Sequence, residues 1–511
     1  MFKSVFESFD IKLSILAAVV ALLYAYVTWN YSYWSKSGVK TLRTPIPLFG
    51  HFFKSIVGLQ HTMEVIDTIY QEMGDQPYIG VYNMRTPQLV IKDPELIGRV
   101  LIKDFSHFTD RGIYYDIHSN PLNGNIFLTG GERWRTMRQK LSPAFTTNKL
   151  KYMIEQIQEC SDILLKTIGQ SIDKESGKME IRDMMGKYST DVIGSCAFGL
   201  KVDAINDPDS EFRKHGKAVF TPSYKSQLRA AIIFMQPSLV RLLGMNFYSQ
   251  KTIDFFRDAF QQTIHYRQLN DCQRNDFVHH LMKARKDLVL NPELKDEEKY
   301  SELDIVANAY ILFVAGFETV STSMSFCLYE LALKTDIQER ARKEIAGVKA
   351  ENGGKLDVEC LNKLHYLNMI IKETLRKYPP LITLNRIVTK PYTIPDTDIT
   401  LRPGTKIIIP AKSIHYDPEN YPNPLNFDPE RYSEENINKL HPNTYMPFGD
   451  GPRFCIGKRF AEFEMKLALS EVLTNYEVLP CEKTQVPIQY VIGSLVNIPK
   501  SVWLKFRPIN V

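Results

Sequence analysis

A chain of 511 residues that is 44% hydrophobic, 24% charged and 11% aromatic has ample material for a large buried core, which excludes a disordered tail, a collagen and a disulfide-stapled miniprotein. A mean hydropathy of -0.23 excludes a polytopic transporter, and a net charge of only +5 argues against bulk nucleic-acid binding. The seven cysteines are scattered with no Cys-x-x-Cys pair, so neither a disulfide framework nor a zinc site is expected, and a reducing compartment suits the bulk of the chain.

Leu13 to Trp29 (LSILAAVVALLYAYVTW) carries no charge and sits at the short end of the lengths that cross a bilayer. A cleaved signal peptide would have a shorter apolar run and a small-residue cleavage site. Tyr31, Tyr33 and Trp34 suit a membrane interface, and Lys36, Lys40 and Arg43 leave the rest of the chain on the cytosolic side. The expected organisation is an uncleaved anchor over residues 1–35 and one domain over 36–511, against the roughly three domains that length alone suggests.

Tyr78 to Ile91 reads as two short strands around a turn, and Asp93-Pro94-Glu95 opens a helix with Asp as N-cap. Helical periodicity dominates from Asn148 to Lys377. Within it, the apolar stretch Ala230–Phe247 has Arg241 as its one ionised residue; it reads as a second membrane contact or as a core helix interrupted by Pro237. Ser301 and Asp304 form a capping-box pattern before a long helix that is apolar on nearly every face and should cross the core. Glu318 then falls mid-core, where an unpaired carboxylate costs several kcal/mol, about as much as a fold can spare, and so needs a partner or a purpose. Gly316 beside it leaves a gap in the helix surface where a ligand could approach.

A second β region is expected from Ile387 to Pro410. From Asp417 to Gly457 periodicity fails and prolines recur; so long an irregular stretch inside a compact domain is usually functional. It ends in Phe448-Gly-Asp-Gly-Pro-Arg-Phe-Cys-Ile-Gly457. A lone Cys is most often a small buried hydrophobe, but Cys455 lies between glycines, with Arg453 before it and a helix after it. Backbone N–H groups and a helix N-terminus both lower a thiol pKa and favour a thiolate metal ligand. The Gly-x-Gly at 449–451 lacks the third glycine and the preceding strand of a dinucleotide loop.

With these residues in view, the sequence resembles the cytochrome P450 family of haem-thiolate monooxygenases. Phe-x-x-Gly-x-Arg-x-Cys-x-Gly is matched at Phe448, Gly451, Arg453, Cys455 and Gly457. Trp134-x-x-x-Arg138, Ala315-Gly-Phe-Glu-Thr319, Glu373-Thr-Leu-Arg376 and Pro429-Glu-Arg-Tyr432 precede it in the family's order. Tyr432 departs from the usual Phe, and Thr-Pro-Ile-Pro before Gly50 is thinner than the usual proline-rich hinge. The resemblance implies a mainly α fold with minor β, one large helical domain with small sheets behind an N-terminal anchor.

It also implies roles. The cofactor would be haem b (iron protoporphyrin IX), with Cys455 as the iron ligand, Phe448 shielding the sulfur, and Gly457 allowing close approach. Trp134, Arg138 and Arg453, with Arg111 and Arg386 as further candidates, would bind the propionates. Thr319 would be the alcohol that hydrogen-bonds bound O2 and Glu318 its acidic relay partner. The Glu373–Arg376 pair, bonded to Arg431, would be structural. Electrons would come from NADPH through a separate cytochrome reductase, with cytochrome b5 as a further donor, docking on Arg133, Arg135, Lys140, Lys458 and Arg459. The stretches NPLNGNIF and WRTMRQKLSPAF look most like the insect microsomal group that clears plant toxins and insecticides, at the endoplasmic reticulum membrane. Steroid or terpenoid hormone oxidation is the alternative. The walls of the substrate site would be Tyr114, Tyr115, Ile117, Phe220, Phe234, Ile311, Leu312, Leu381, Leu384 and Leu495.

Overall fold

The two predicted β regions, near residue 80 and beyond 380, join in one sheet, although some three hundred residues of mainly helical chain separate them. The computed structural model describes residues 2–221, 246, 248–272, 274, 276–289, 301–494 and 496–509. Phe234, Leu495 and, apart from Asn246, all of the apolar stretch 230–247 lie outside the described residues.

The hairpin forms where alternation predicts it, as β1 (Tyr78–Asn83) and β2 (Thr86–Ile91), with Tyr78 opposite Ile91. Lys178–Glu180 forms β3, and the second β region starts a few residues earlier than predicted, as β4 (Leu384–Ile387), β5 (Tyr392–Thr393), β6 (Thr400–Leu401) and β7 (Lys406–Ile409). β8 (Tyr476–Pro480) and β9 (Trp503–Pro508) close the chain. The main sheet runs β1-β2-β7-β4. β2 pairs in parallel with β7 only from Gln88 onward, so Pro87 forfeits no ladder bond on that side. β4 and β7 are antiparallel with Arg386 opposite Ile407, and Arg386 is buried although β4 is an edge strand.

The long helix Glu302–Leu333 is the axis of the helical part. Its capping box is present: Asp304 N donates to Ser301 Oγ (3.2 Å) and Ser301 N to Asp304 Oδ2 (2.7 Å). Among the described residues it is the helix long and apolar enough to cross a membrane, yet 72% of its apolar window is buried within the protein; it is a core helix. It packs along Ile181–Phe198, and a Cβ on Gly316 would come 2.8 Å from Ile193 Cδ1. Gly316 therefore lets the neighbouring helix approach closely, and it keeps part of its own surface accessible.

The first helix, Phe2–Thr28, contains the apolar stretch Lys12–Thr28, and Leu13, Val20, Leu22 and Trp29 along it are exposed. Its foot is seated on the β1–β2 turn, where the Arg85 guanidinium lies 3.8 Å from the Tyr26 ring and Asn30 Nδ2 donates to Arg85 O (3.2 Å). Trp34, expected at a membrane interface, is instead fully buried: its Nε1 donates to Val81 O (3.0 Å), and its ring fills the space a side chain on Gly80 would need. Tyr31 packs on Tyr82, and Tyr33 shares a hydrogen bond with Thr405 (3.1 Å). These aromatics staple the chain to the sheet.

Candidate active site

The cysteine loop is built by short local bonds. Gly449 N donates to Met446 O (3.0 Å) and Cys455 N to Phe448 O (2.8 Å), while Asp450 Oδ1 accepts from Gly451 N (2.7 Å). Gly449 and Gly451 have φ of +71° and +66°, and a Cβ on Gly451 would stand 1.8 Å from Leu101 O. Glycine is required there by backbone conformation and by space together. At Gly457 the nearest obstacle to a Cβ is Phe145 at 3.8 Å, so no protein atom demands glycine there.

Cys455 retains accessible surface although protein atoms ring it closely. Burial pushes its thiol above the ordinary range, against the opposing pull of the Gly457 N–H, Arg138 and Arg111. The loop dipoles by themselves would lower it, as the sequence predicts. Desolvation outweighs the loop's dipoles, so the loop alone does not make a thiolate; a bound metal cation is what displaces a proton from such a sulfur.

Four arginines from separate parts of the chain converge near Cys455 and on one another. Arg453 is almost fully buried: Nε donates to Thr109 O (2.6 Å), Nη2 to Thr129 O (2.9 Å) and more weakly to Asp110 Oδ1 (3.4 Å), and its guanidinium lies 4.0 Å from the Trp134 ring. Arg111 donates to Phe127 O (3.0 Å) and Arg453 O (3.2 Å). Arg386 donates to Asn385 O (2.9 Å), and Arg138, one turn after Trp134 on the helix Gly131–Leu141, to Phe454 O (2.9 Å). Burial brings Arg453 and Arg386 down to about 10. Arg111 falls well below its ordinary value, through burial and then through Arg386 and Arg453. Asp110 was missed in the sequence; its carboxylate also accepts from Gly131 N (2.9 Å), and it stood next to Arg111 in Phe-Thr-Asp-Arg-Gly.

This donor set fits a haem. Arg453 Nη1 and Arg386 Nε are buried without a hydrogen-bond partner, and one partly exposed Asp110 cannot balance four guanidinium groups. A doubly anionic ligand supplies what is missing. Among the described residues no group of three His, Cys, Asp or Glu side chains could hold a bare metal ion, so a lone thiolate suits an iron whose other ligands come with it.

The core helix opens along one row. Ile311, Ala315 and Thr319, spaced four apart, keep accessible surface, as does Gly316 beside them, while the other residues between 311 and 319 are buried. Thr319 Oγ1 donates to Ala315 O (2.7 Å), which leaves its lone pairs turned outward as acceptors. Glu318 is buried and flanked by two cations, Arg182 Nη2 at 3.5 Å and Arg213 Nη1 at 3.7 Å. Its Oε2 has no hydrogen-bond partner. The partner that a mid-core carboxylate demands is thus a pair of arginines.

Of the expected substrate walls, Tyr114, Tyr115, Leu381 and Leu384 are half-buried and Ile117 is exposed. Phe220 packs edge-on against Phe317 at 5.9 Å. Leu312 turns into the aliphatic core instead of the open row. On the outer side of the loop a hollow of about 460 Å³ is lined by Arg138, Phe454, Lys458, Arg459 and Glu462, among others. Of the basic residues expected for docking, Arg133 and Arg135 pair with Asp304 and Glu132, while Lys458 and Arg459 are exposed at this hollow.

The cytochrome P450 family model matches residues 41–506. The chain is 40% identical over 503 residues to the probable cytochrome P450 6a13 of Drosophila melanogaster, covering 98% of this chain and 99% of that one. It is 36% identical to cytochrome P450 6k1 of Blattella germanica, covering 93% of each chain, and 36% identical to cytochrome P450 6A1 of Musca domestica, covering 95% of each. With its cysteine loop, its arginine cluster and these full-length relatives, the chain belongs to the cytochrome P450 family and is a monooxygenase of that haem-dependent class.

Proposed function

We propose that the protein is a membrane-anchored haem-thiolate monooxygenase that inserts one atom of O2 into small apolar xenobiotics and releases the other as water, with two electrons from NADPH. The observation that carries the reading is the convergence of Arg111, Arg138, Arg386 and Arg453 beside Cys455. Cys455 would bind the iron, the arginines and Trp134 the propionate side, and Phe448 the sulfur side of the ring. Haem b, once bound, supplies the oxygen activation. Thr319 offers an acceptor on the open row of the core helix, and Glu318 a carboxylate one residue away to pass protons toward it. Apolar walls at Ile311, Leu381 and Leu384 favour a hydrophobic substrate.

Electrons would arrive from a separate NADPH–cytochrome reductase, and from cytochrome b5, at the hollow bordered by Lys458 and Arg459. Residues 1–35 would anchor the chain in the endoplasmic reticulum membrane, with 36–511 on the cytosolic face; the exposed apolar residues from Leu13 to Trp29 support this. The test is the absorbance of the reduced, carbon-monoxide-bound protein, followed by turnover with NADPH and reductase. A red-shifted Soret band that disappears in Cys455→Ser, with oxidation of plant toxins or insecticides, supports the proposal. Oxidation confined to steroids or terpenoids would move the protein to hormone metabolism, and a persisting band would reassign the ligand.

A further inference from the structure

His415 takes no part in the roles assigned so far, yet it connects two of the structural units described above. It ends the short helix Ala411–His415 and is fully buried. Its Nδ1 lies 3.0 Å from Arg376 O, and Met446 N lies 3.1 Å from its Nε2. A carbonyl oxygen can only accept and a backbone N–H can only donate, so the two partners fix the ring: Nδ1 carries the proton and Nε2 is bare. Burial first, and the Arg376 charge second, hold the ring far from protonation, at about 3. Arg376 Nη1 in turn donates to His415 O (2.8 Å), and the imidazole stacks on Tyr445 at 5.9 Å. Met446 is where the cysteine loop begins, since its carbonyl accepts from Gly449 N and Phe448 O accepts from Cys455 N.

We infer that His415 is a positioning residue for the cysteine loop, clamping Met446 to the buried Glu373–Arg376 pair and so setting where Cys455 stands. This rests on the reading of Cys455 as the iron ligand. The effect passes through the Met446 backbone. A loop freed at Met446 would let the sulfur drift and take up a proton, which converts a thiolate ligand into a weaker thiol one.

Two substitutions separate the ring's two bonds. An Asn side chain reaches the place of Nδ1 and can still donate to Arg376 O, but leaves Met446 N unpaired. A Gln side chain reaches the place of Nε2 and can still accept from Met446 N. The experiment uses the full-length holoprotein and follows, under mild heating, the rate at which the red-shifted carbon-monoxide band gives way to the shorter-wavelength band of thiol-ligated haem. His415→Asn should convert roughly 5- to 150-fold faster than wild type, the range implied by an unpaired buried amide, and His415→Gln should stay close to wild type. Equal rates in the two variants, whether both fast or both slow, would overturn the inference while leaving Cys455 as ligand. A wild-type protein with no red-shifted band would take both readings down together. Should His415→Asn fail to fold, hydrogen exchange on the wild-type holoprotein decides: a Met446 amide as protected as the centre of the helix His365–Lys377 supports the clamp, and exchange at loop rates overturns it.

Discussion

Arg376 and Glu373 form a two-pronged ion pair, 2.8 Å at each prong, in which neither side chain has any accessible surface. Arg376 also donates to His415 O and Pro424 O (2.8 Å each), and Glu373 accepts from Asp428 N (3.0 Å) and Arg431 Nε (3.3 Å). An exposed pair at this spacing would contribute only about 0.2–0.5 kcal/mol. Buried, the pair is the knot from which the irregular stretch 417–457 hangs. Arg376→Ala leaves the buried Glu373 carboxylate with Arg431 as its remaining cation and should cost about 3–5 kcal/mol, read by thermal unfolding. The double variant Glu373→Leu, Arg376→Leu should cost less than the sum of the two single changes.

Two glycines of the cysteine loop should respond differently. Gly451→Ala meets Leu101 O and a left-handed backbone, so haem retention and the carbon-monoxide band should be lost. Gly457→Ala meets only Phe145 among protein atoms, at van der Waals distance, so the loop should fold as before, and a loss of haem from this variant would report the approach of the ring to Gly457. Haem content per folded protein is the measurement.

Thr319→Ala removes the outward acceptor of the open row but leaves the arginine cluster and Cys455 untouched. NADPH consumption should continue while product falls and hydrogen peroxide rises, and Thr319→Ser should restore coupling. Glu318→Gln keeps the shape but leaves Arg182 and Arg213 facing a neutral group. It should slow NADPH consumption and product together. Assaying NADPH, peroxide and product in one reaction distinguishes the two patterns; unchanged coupling in Thr319→Ala would return both residues to a structural role.

Glu464 lies in the core on the helix Lys458–Asn475, with Ser189 Oγ donating to one oxygen (2.6 Å) and no partner for the other. Burial raises its carboxyl to about 8. Because the folded value lies above the unfolded one, near 4.5, the native state keeps the proton while the unfolded chain releases it. Stability from this group is therefore full below about pH 4.5 and is lost as pH rises through 8, with a slope of up to about 1.4 kcal/mol per pH unit. Glu464→Gln should remove that slope, so its unfolding midpoint gains on wild type steadily between pH 6 and 8.

Truncation should separate anchor from staple. Removing residues 2–28 deletes the exposed apolar helix and should leave thermal stability nearly unchanged while reducing sedimentation with membranes. Extending the deletion through Trp34 empties a fully buried indole site and should cost about 3–5 kcal/mol. Equal stability of the two truncated proteins would mean that the sheet closes over the gap.

Local chemistry was legible in the chain itself. The capping box at Ser301, the hairpin at Tyr78–Ile91, and the irregular proline-rich stretch ending at Cys455 all follow from short-range rules of backbone conformation, and the spaced motifs name the family. What folding alone decided are the matters of desolvation and long-range contact. The Cys455 thiol is raised and not lowered because burial outweighs the loop dipoles, a balance no local motif reveals. Gly316 makes room for Ile193, Trp34 lies in the core and not at an interface, and Glu318 meets Arg182 and Arg213, because each partner lies on another element of the chain. Asp110 and His415 carry no motif at all. They matter through hydrogen bonds to Arg453 and Met446, hundreds and tens of residues away, and only the packed structure brings those atoms within 3.5 Å.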